Sequence, residues 1–223
     1  MRKWYVGPVF LLAALAFAIV VYPSLPEQVP THWGMDGNVD DYTPKMPGAF
    51  LGPLLGLGIW GLLVGLRRID PRSGNYDRFD DTFWLIGNVL GVFMAGITFA
   101  TLGYSLGWPV DMERVVLGGV GLLLLVLGNV MPRLRSNFWM GVRTPWTLSS
   151  DQVWRDTHRL AGRTMVAGGL ITLIALIFPA GYRVWIALTG FVVAGFIPVV
   201  YSYFAWRSLT RAGKVPASRP PVP

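Results

Sequence analysis

NFWMGVRTPWTLSSDQVWRDTHRLAGR, residues 137–163, stands between long apolar runs and concentrates side chains that apolar packing does not demand. It holds Phe138-Trp139, Pro145-Trp146, four arginines (Arg143, Arg155, Arg159, Arg163) and one of only two histidines, His158. Pro145 pushes Thr144 into extended geometry, so 137–148 reads as an ordered loop. A helix is predicted to follow. Ser149 with Gln152 forms a capping box, and Asp151 in the first turn suits the helix dipole. Val153, Trp154, Thr157, Leu160 and Ala161 are placed on one face, and Arg155, Asp156, His158, Arg159 and Arg163 on the other. Such a helix, leading into an apolar run, is predicted to lie on a membrane surface before the chain turns inward.

Outward from this stretch the chain is apolar. Of its 223 residues 53% are hydrophobic and 14% charged, against about 25% charged in soluble domains. Six segments approach the roughly 20 residues that cross a bilayer core: Val6 to Tyr22, Pro47 to Leu66, Thr82 to Leu106, Val115 to Met131, Thr164 to Tyr182 and Val184 to Trp206. The first follows Arg2 and Lys3 as a signal peptide would, but Val21-Tyr22-Pro23-Ser24 is a poor cleavage site, so it reads as a span. The predicted fold class is all-α, a multi-pass bundle of six transmembrane helices in a cell membrane.

With the amino terminus inside, every Lys and Arg except Lys45, Arg114 and Arg183 falls on the inner side. The positive-inside rule therefore predicts both termini in the cytoplasm. It also accounts for the net charge of +7 without direct nucleic-acid binding. No cysteine excludes disulfides and thiol chemistry. Three regions follow: 1–66, two spans around an outer loop at 23–46; 67–206, four spans with the motif loop 132–163; and 207–223, a basic, Pro-rich tail expected to be disordered.

The spans carry no Asp, Glu, Lys, Arg or His, which weighs against a proton- or ion-coupled pump. Gly48, Gly52 and Gly56, then Gly61 and Gly65, form a small-residue ridge suited to helix packing within one chain or between two copies. Asn88 and Asn129, each in a Gly-Asn-Val triplet, either bond across helices or line a pocket. In the outer loop, Asp36-Gly37-Asn38 signals a turn between Val29–Trp33 and Val39–Thr43, a small hairpin. His32, Asp36, Asp40 and Asp41 match no metal-ligand spacing, so no metal or other cofactor is expected. They form a candidate outward recognition surface whose acidity suits a cationic ligand. The inner loop Arg67 to Asp81 reads as a solvated connector.

Two stretches, LPEQVPTHWGMDGNVDDYTPK at 25–45 and GNVMPRLRSNFWMGVRTPWTLSSDQVWRDTHRLAGR at 128–163, together resemble the SdpI family of bacterial membrane proteins. The first is similar to a domain of unknown function often found at the start of such proteins. The resemblance implies immunity to a secreted peptide toxin outside, combined with capture of a cytoplasmic repressor inside. The positions that match the family's motif are Asn137, Gly141, Arg143, Thr144, Pro145, Trp146, Trp154, His158, Arg159 and Gly162, and all of these but Gly162 form the candidate partner-binding set. Two other classes stand beside this. A small-solute carrier or pore would use Asn88, Asn129 and the glycine ridge. A membrane enzyme would use His158 as a base with Asp151 or Asp156, but Asp156 and His158, two apart on a helix, do not face each other, and no serine sits in a nucleophile elbow. A non-catalytic protein is the expectation.

Overall fold

The computed structural model describes residues 5–35 and 37–214. Six long helices are present: α1 (Val6–Val21), α2 (Lys45–Ile69), α3 (Asp80–Ser105), α4 (Met112–Val130), α6 (Asp151–Ala175) and α7 (Ala180–Arg211), with a short α5 (Pro145–Ser149) before α6. Five of them, all but α6, are long and apolar enough to cross a membrane. Their outer surfaces show why: Val20, Leu62, Val192 and Phe196 are more than half exposed. Such exposure costs about 25 cal/mol per Å² in water and nothing against lipid. The inner surfaces are narrow, with Ala14, Ala18, Ala95 and Ala187 at 1% exposure or less.

Packing follows from those small residues. Helix α1 lies on α3 where Gly7 meets Gly91, and a Cβ at Gly91 would sit 2.8 Å from the Gly7 Cα. Helices α6 and α7 cross at Gly168 and Gly190 in the same way. Of the five glycines in the expected ridge three are used. Gly48, Gly52 and Gly56 face Val29, Thr98 and Leu11, whereas a Cβ at Gly61 or Gly65 would meet nothing within 4 Å.

The bundle has two ends. At one lies the predicted hairpin, β1 (Gln28–Trp33) antiparallel to β2 (Val39–Pro44), bulged around His32. Its Trp33 meets Tyr104 at the end of α3 edge-on at 5.6 Å. The first turns of α4 and α7 are tied at the same end by Arg183 to Glu113, 3.0 Å. The 70–79 connector, the motif loop and the start of α1 lie at the opposite end. Sequence reading and structure part company at α6. The amphipathic segment and the fifth span are one unbroken helix, because nothing between Arg163 and Thr164 interrupts it, and it ends at Ala175 rather than Tyr182. Its charged first half keeps α6 out of the set apolar enough to cross a membrane, so five such helices stand against the six spans expected. Ser150, not Ser149, is its N-cap, accepting from the Val153 amide. Helix α7 continues through Arg211, past the expected start of the tail at 207, while 215–223 lie outside the described residues.

Gly91→Val, which forces a side chain into the α1 backbone, should cost roughly 1–3 kcal/mol, read as a lower melting temperature in lipid nanodiscs. Gly61→Ala should leave that temperature unchanged or raise it. Equal effects of the two substitutions would refute the α1–α3 crossing.

Candidate functional site

The motif loop is built around Asn137, which is fully buried. Its Oδ1 accepts the amides of Trp139 (2.9 Å) and Met140 (2.6 Å), and its Nδ2 donates to the carbonyls of Arg135 (2.9 Å) and Met140 (3.2 Å). The side-chain amide thus has every donor and acceptor used, and it fixes the turn of 135–140.

The connector 70–79 clamps this turn and is not the solvated loop expected. Asp70, 3% exposed, accepts from the Arg72 amide (2.7 Å), the Tyr76 hydroxyl (2.8 Å) and the Phe138 amide (2.9 Å). Arg72 donates to the Ser136 hydroxyl and to the Leu148 carbonyl (2.8 Å), with its guanidinium over the Phe138 ring. Asn75 donates to the Ser136 carbonyl at 2.8 Å. Burial, reinforced by the hydrogen bond to Asp70, raises the Tyr76 phenol above its ordinary pKa, so it stays a donor. None of Asp70, Arg72 and Tyr76 belongs to the expected motif. Their only sequence signal was an acid, a base and an aromatic within one short loop.

Gly141 has φ +95°, and a Cβ there would collide with His158 Nε2. The glycine therefore lets Val142 bring its amide to that nitrogen, 3.0 Å. The other ring nitrogen, Nδ1, meets the Trp154 carbonyl at 2.8 Å. His158 is thus a neutral Nδ1–H tautomer, accepting at Nε2, and its ring stacks on Trp154 with centroids 4.0 Å apart. Trp154 donates from Nε1 to the Leu134 carbonyl, 3.0 Å. The placement of His158 on the exposed basic face is corrected: the residue is fully buried. Four residues of helix turn about 400°, only some 40° from Trp154, so the two share a face.

Thr144 caps α5, exchanging bonds with Thr147, and meets Ser202 of α7 at 3.0 Å. Trp146 packs edge-on against Tyr203. Gly162 lets α6 approach the end of α4, where its Cβ would lie 2.7 Å from the Gly128 carbonyl oxygen. So the structure brings the motif together as two populations. The polar atoms of Asn137, Thr144, Trp154 and His158 are engaged within the protein. Pro145, Arg143 and Arg159 are exposed, Arg143 steadied by donation to the Phe138 carbonyl at 2.8 Å. At this end of the bundle a cavity of about 280 Å³ opens among Asn75, Arg78, Arg135, Ser136, Asp151 and Arg155. Three arginines against one acid suit an anionic group.

The remaining candidates scatter. Asn88 accepts the Gly7 amide at 2.8 Å, a bond that joins α3 to α1, and Asn129 is exposed. In the hairpin His32 Nδ1 meets Asp40 at 2.5 Å and Asp41 accepts the Tyr42 amide. Asp36 lies outside the described residues. Among the described residues no group of His, Asp and Glu is arranged to hold a metal.

Comparison with known proteins agrees with the resemblance read from the sequence. Residues 133–202 match the SdpI/YfhL protein family, and residues 9–57 match a domain of unknown function (DUF1648). The chain is 27% identical over 210 residues to a protein named Immunity protein SdpI from Bacillus subtilis (strain 168), covering 94% of this chain and 98% of that one. No solved structure matches the chain.

Burial holds the His158 pKa down, to about 4 from 6.5, despite the bond to the Trp154 carbonyl. A second proton would also set Nε2–H against the Val142 amide. The unfolded chain therefore takes up a proton that the folded chain refuses. Folding stability should be complete above pH 6.5 and fall by up to about 1.4 kcal/mol per pH unit towards pH 4. Thermal unfolding at pH 7.5 and pH 5 should show the drop, and His158→Gln should lack it. An unchanged drop in the variant would reject this assignment.

Proposed function

We propose that this chain, an SdpI/YfhL-family protein in its motif region, is a non-catalytic immunity protein of the bacterial cell membrane that neutralises a secreted antimicrobial peptide. The observation that carries the reading is the nearly end-to-end similarity to an immunity protein. The internal engagement of the motif's polar groups supports it: both nitrogens of His158 are occupied by main-chain groups, so this histidine is not free to act as a base. The excess of Lys and Arg at the motif end supports an orientation with that end in the cytoplasm and the hairpin outside.

In this arrangement the hairpin end meets the toxin and the motif end signals. Exposed Arg143 and Arg159, with the arginine-lined cavity at the same end of the bundle, form a rigid cationic surface for acidic groups on a repressor protein. The carrier alternative has little to draw on. The crevice between α2 and α3 at Gly56, Trp60, Gly87 and Met94 measures about 10 Å³, the limit for a single water.

Expression in bacteria killed by a secreted peptide toxin should raise survival over an empty-vector control. Arg143→Ala, at unchanged membrane level, should preserve survival but release the repressor from the membrane fraction, as one lost charge-assisted contact weakens binding by roughly tenfold or more. No protection by the unaltered chain against any toxin of this class would end the immunity reading.

A further inference from the structure

A second cavity, about 340 Å³, opens at the hairpin end between β1 and the ends of α3, α4 and α7. That is the small end of the roughly 300–1,000 Å³ typical of ligand sites, with room for one or two side chains but not a whole peptide. Trp33, Ile97, Thr101, Val116 and Val184 contribute mostly apolar wall, and Glu113 the one acid.

Two lining residues carry unanswered polar atoms. Among the described residues, four buried side-chain polar atoms lack a hydrogen-bond partner, and Trp33 Nε1 and Glu113 Oε1 are two of them. Glu113 is held rather than loose: its side chain is 8% exposed, its Oε2 takes Arg183 Nη1 at 3.0 Å, and Arg183 Nε is itself anchored on the Phe178 carbonyl at 2.8 Å. The carboxylate is therefore positioned with one oxygen left over. Since Arg183 already balances its charge, what is missing is a neutral donor, not a cation. Trp33, standing edge-on to Tyr104, lacks an acceptor. Buried polar groups without partners cost desolvation energy that nothing inside the protein returns. A residue within a peptide supplies both, a backbone N–H donor and a carbonyl acceptor.

We propose that this cavity is the seat for one apolar residue of an extended peptide, whose backbone N–H donates to Glu113 Oε1 and whose carbonyl accepts from Trp33 Nε1. The assignment rests on the immunity reading for its biological peptide, but the chemistry is tested without it. The hairpin explains the seat's construction, because β1 supplies the roof and its tip reaches back to α4, where a Cβ at Gly37 would lie 3.8 Å from Glu113 Oε2. Acidic residues on the strands then serve the hairpin's surface, and recognition falls to the neutral amide site beneath it.

The probe is acetyl-Ala-photoleucine-Ala-amide, irradiated with the full chain in nanodiscs of phosphatidylglycerol and phosphatidylcholine, with labelled residues mapped by mass spectrometry. Labels are expected on Ile97, Thr101 and Val116. An analogue with an ester in place of the photoleucine N–H should label about tenfold less, the effect of one lost hydrogen bond to a charged acceptor. Val116→Trp fills the cavity from a partly exposed position without touching Glu113, and should abolish labelling. Labelling elsewhere, equal labelling by ester and amide, or undiminished labelling of Val116→Trp would each overturn the assignment, equal labelling marking a mere acyl-chain cavity. The survival assay separates the two readings. Loss of protection by Val116→Trp at normal membrane level supports the seat as the toxin's. Protection retained with labelling lost overturns the seat's role and leaves immunity standing. Amide-dependent labelling without protection by the unaltered chain retains the seat and removes immunity.

Discussion

A carboxyl group with 3% exposure must find its donors within the protein, and Asp70 takes three: two main-chain amides and the Tyr76 hydroxyl. One of these, the Phe138 amide, belongs to the motif loop 68 residues further on. The rest of that end of the molecule follows. With Phe138 pinned, Asn137 closes its turn, Met140 and Gly141 are carried to His158, and the Trp154–His158 stack seats α6. Removing one partner would leave a charge or an amide buried without an answer, the costly half of any hydrogen bond. The network is specified as a unit because its members share atoms.

That arrangement changes what the motif means. Residue types that look like recognition chemistry in a sequence, an asparagine, a histidine and a tryptophan, are here the interior framework of a loop. The side chains left at the surface are long arginines, Arg143 and Arg159. Rigidity comes from the buried polar groups and contact from the exposed ones. A loop of irregular backbone beside a membrane needs such internal satisfaction, since lipid offers no partners to its amides and carbonyls.

How legible was this in the sequence? The hairpin was, because a Gly-Asn turn between two short alternating strands is a local signal. So were most helices, since apolar runs of membrane length admit few alternatives, and so was the extended Thr144 before Pro145. Asp70 and Tyr76 were not, because their partner lies far along the chain and a loop of mixed charge looks solvated whether or not it is. His158 was misplaced by sorting side chains by polarity instead of by angle. The continuity of α6 was hidden for the same reason, its charged first half suggesting a separate element. The cavity beneath the hairpin left no trace in the sequence at all, for it is assembled from four elements that only tertiary packing brings together.

The long loop between Asp70 and Phe138 also sets an order of assembly. During synthesis α1, the hairpin, α2 and α3 emerge first and can pack on one another through Gly7 and Gly91 while the connector's carboxylate still waits in solvent. Its remaining partner leaves the ribosome only after α4 has been threaded into the bilayer. The motif end can therefore begin to close only after α4 is made, and it is finished last, when Ser202 of α7 reaches Thr144.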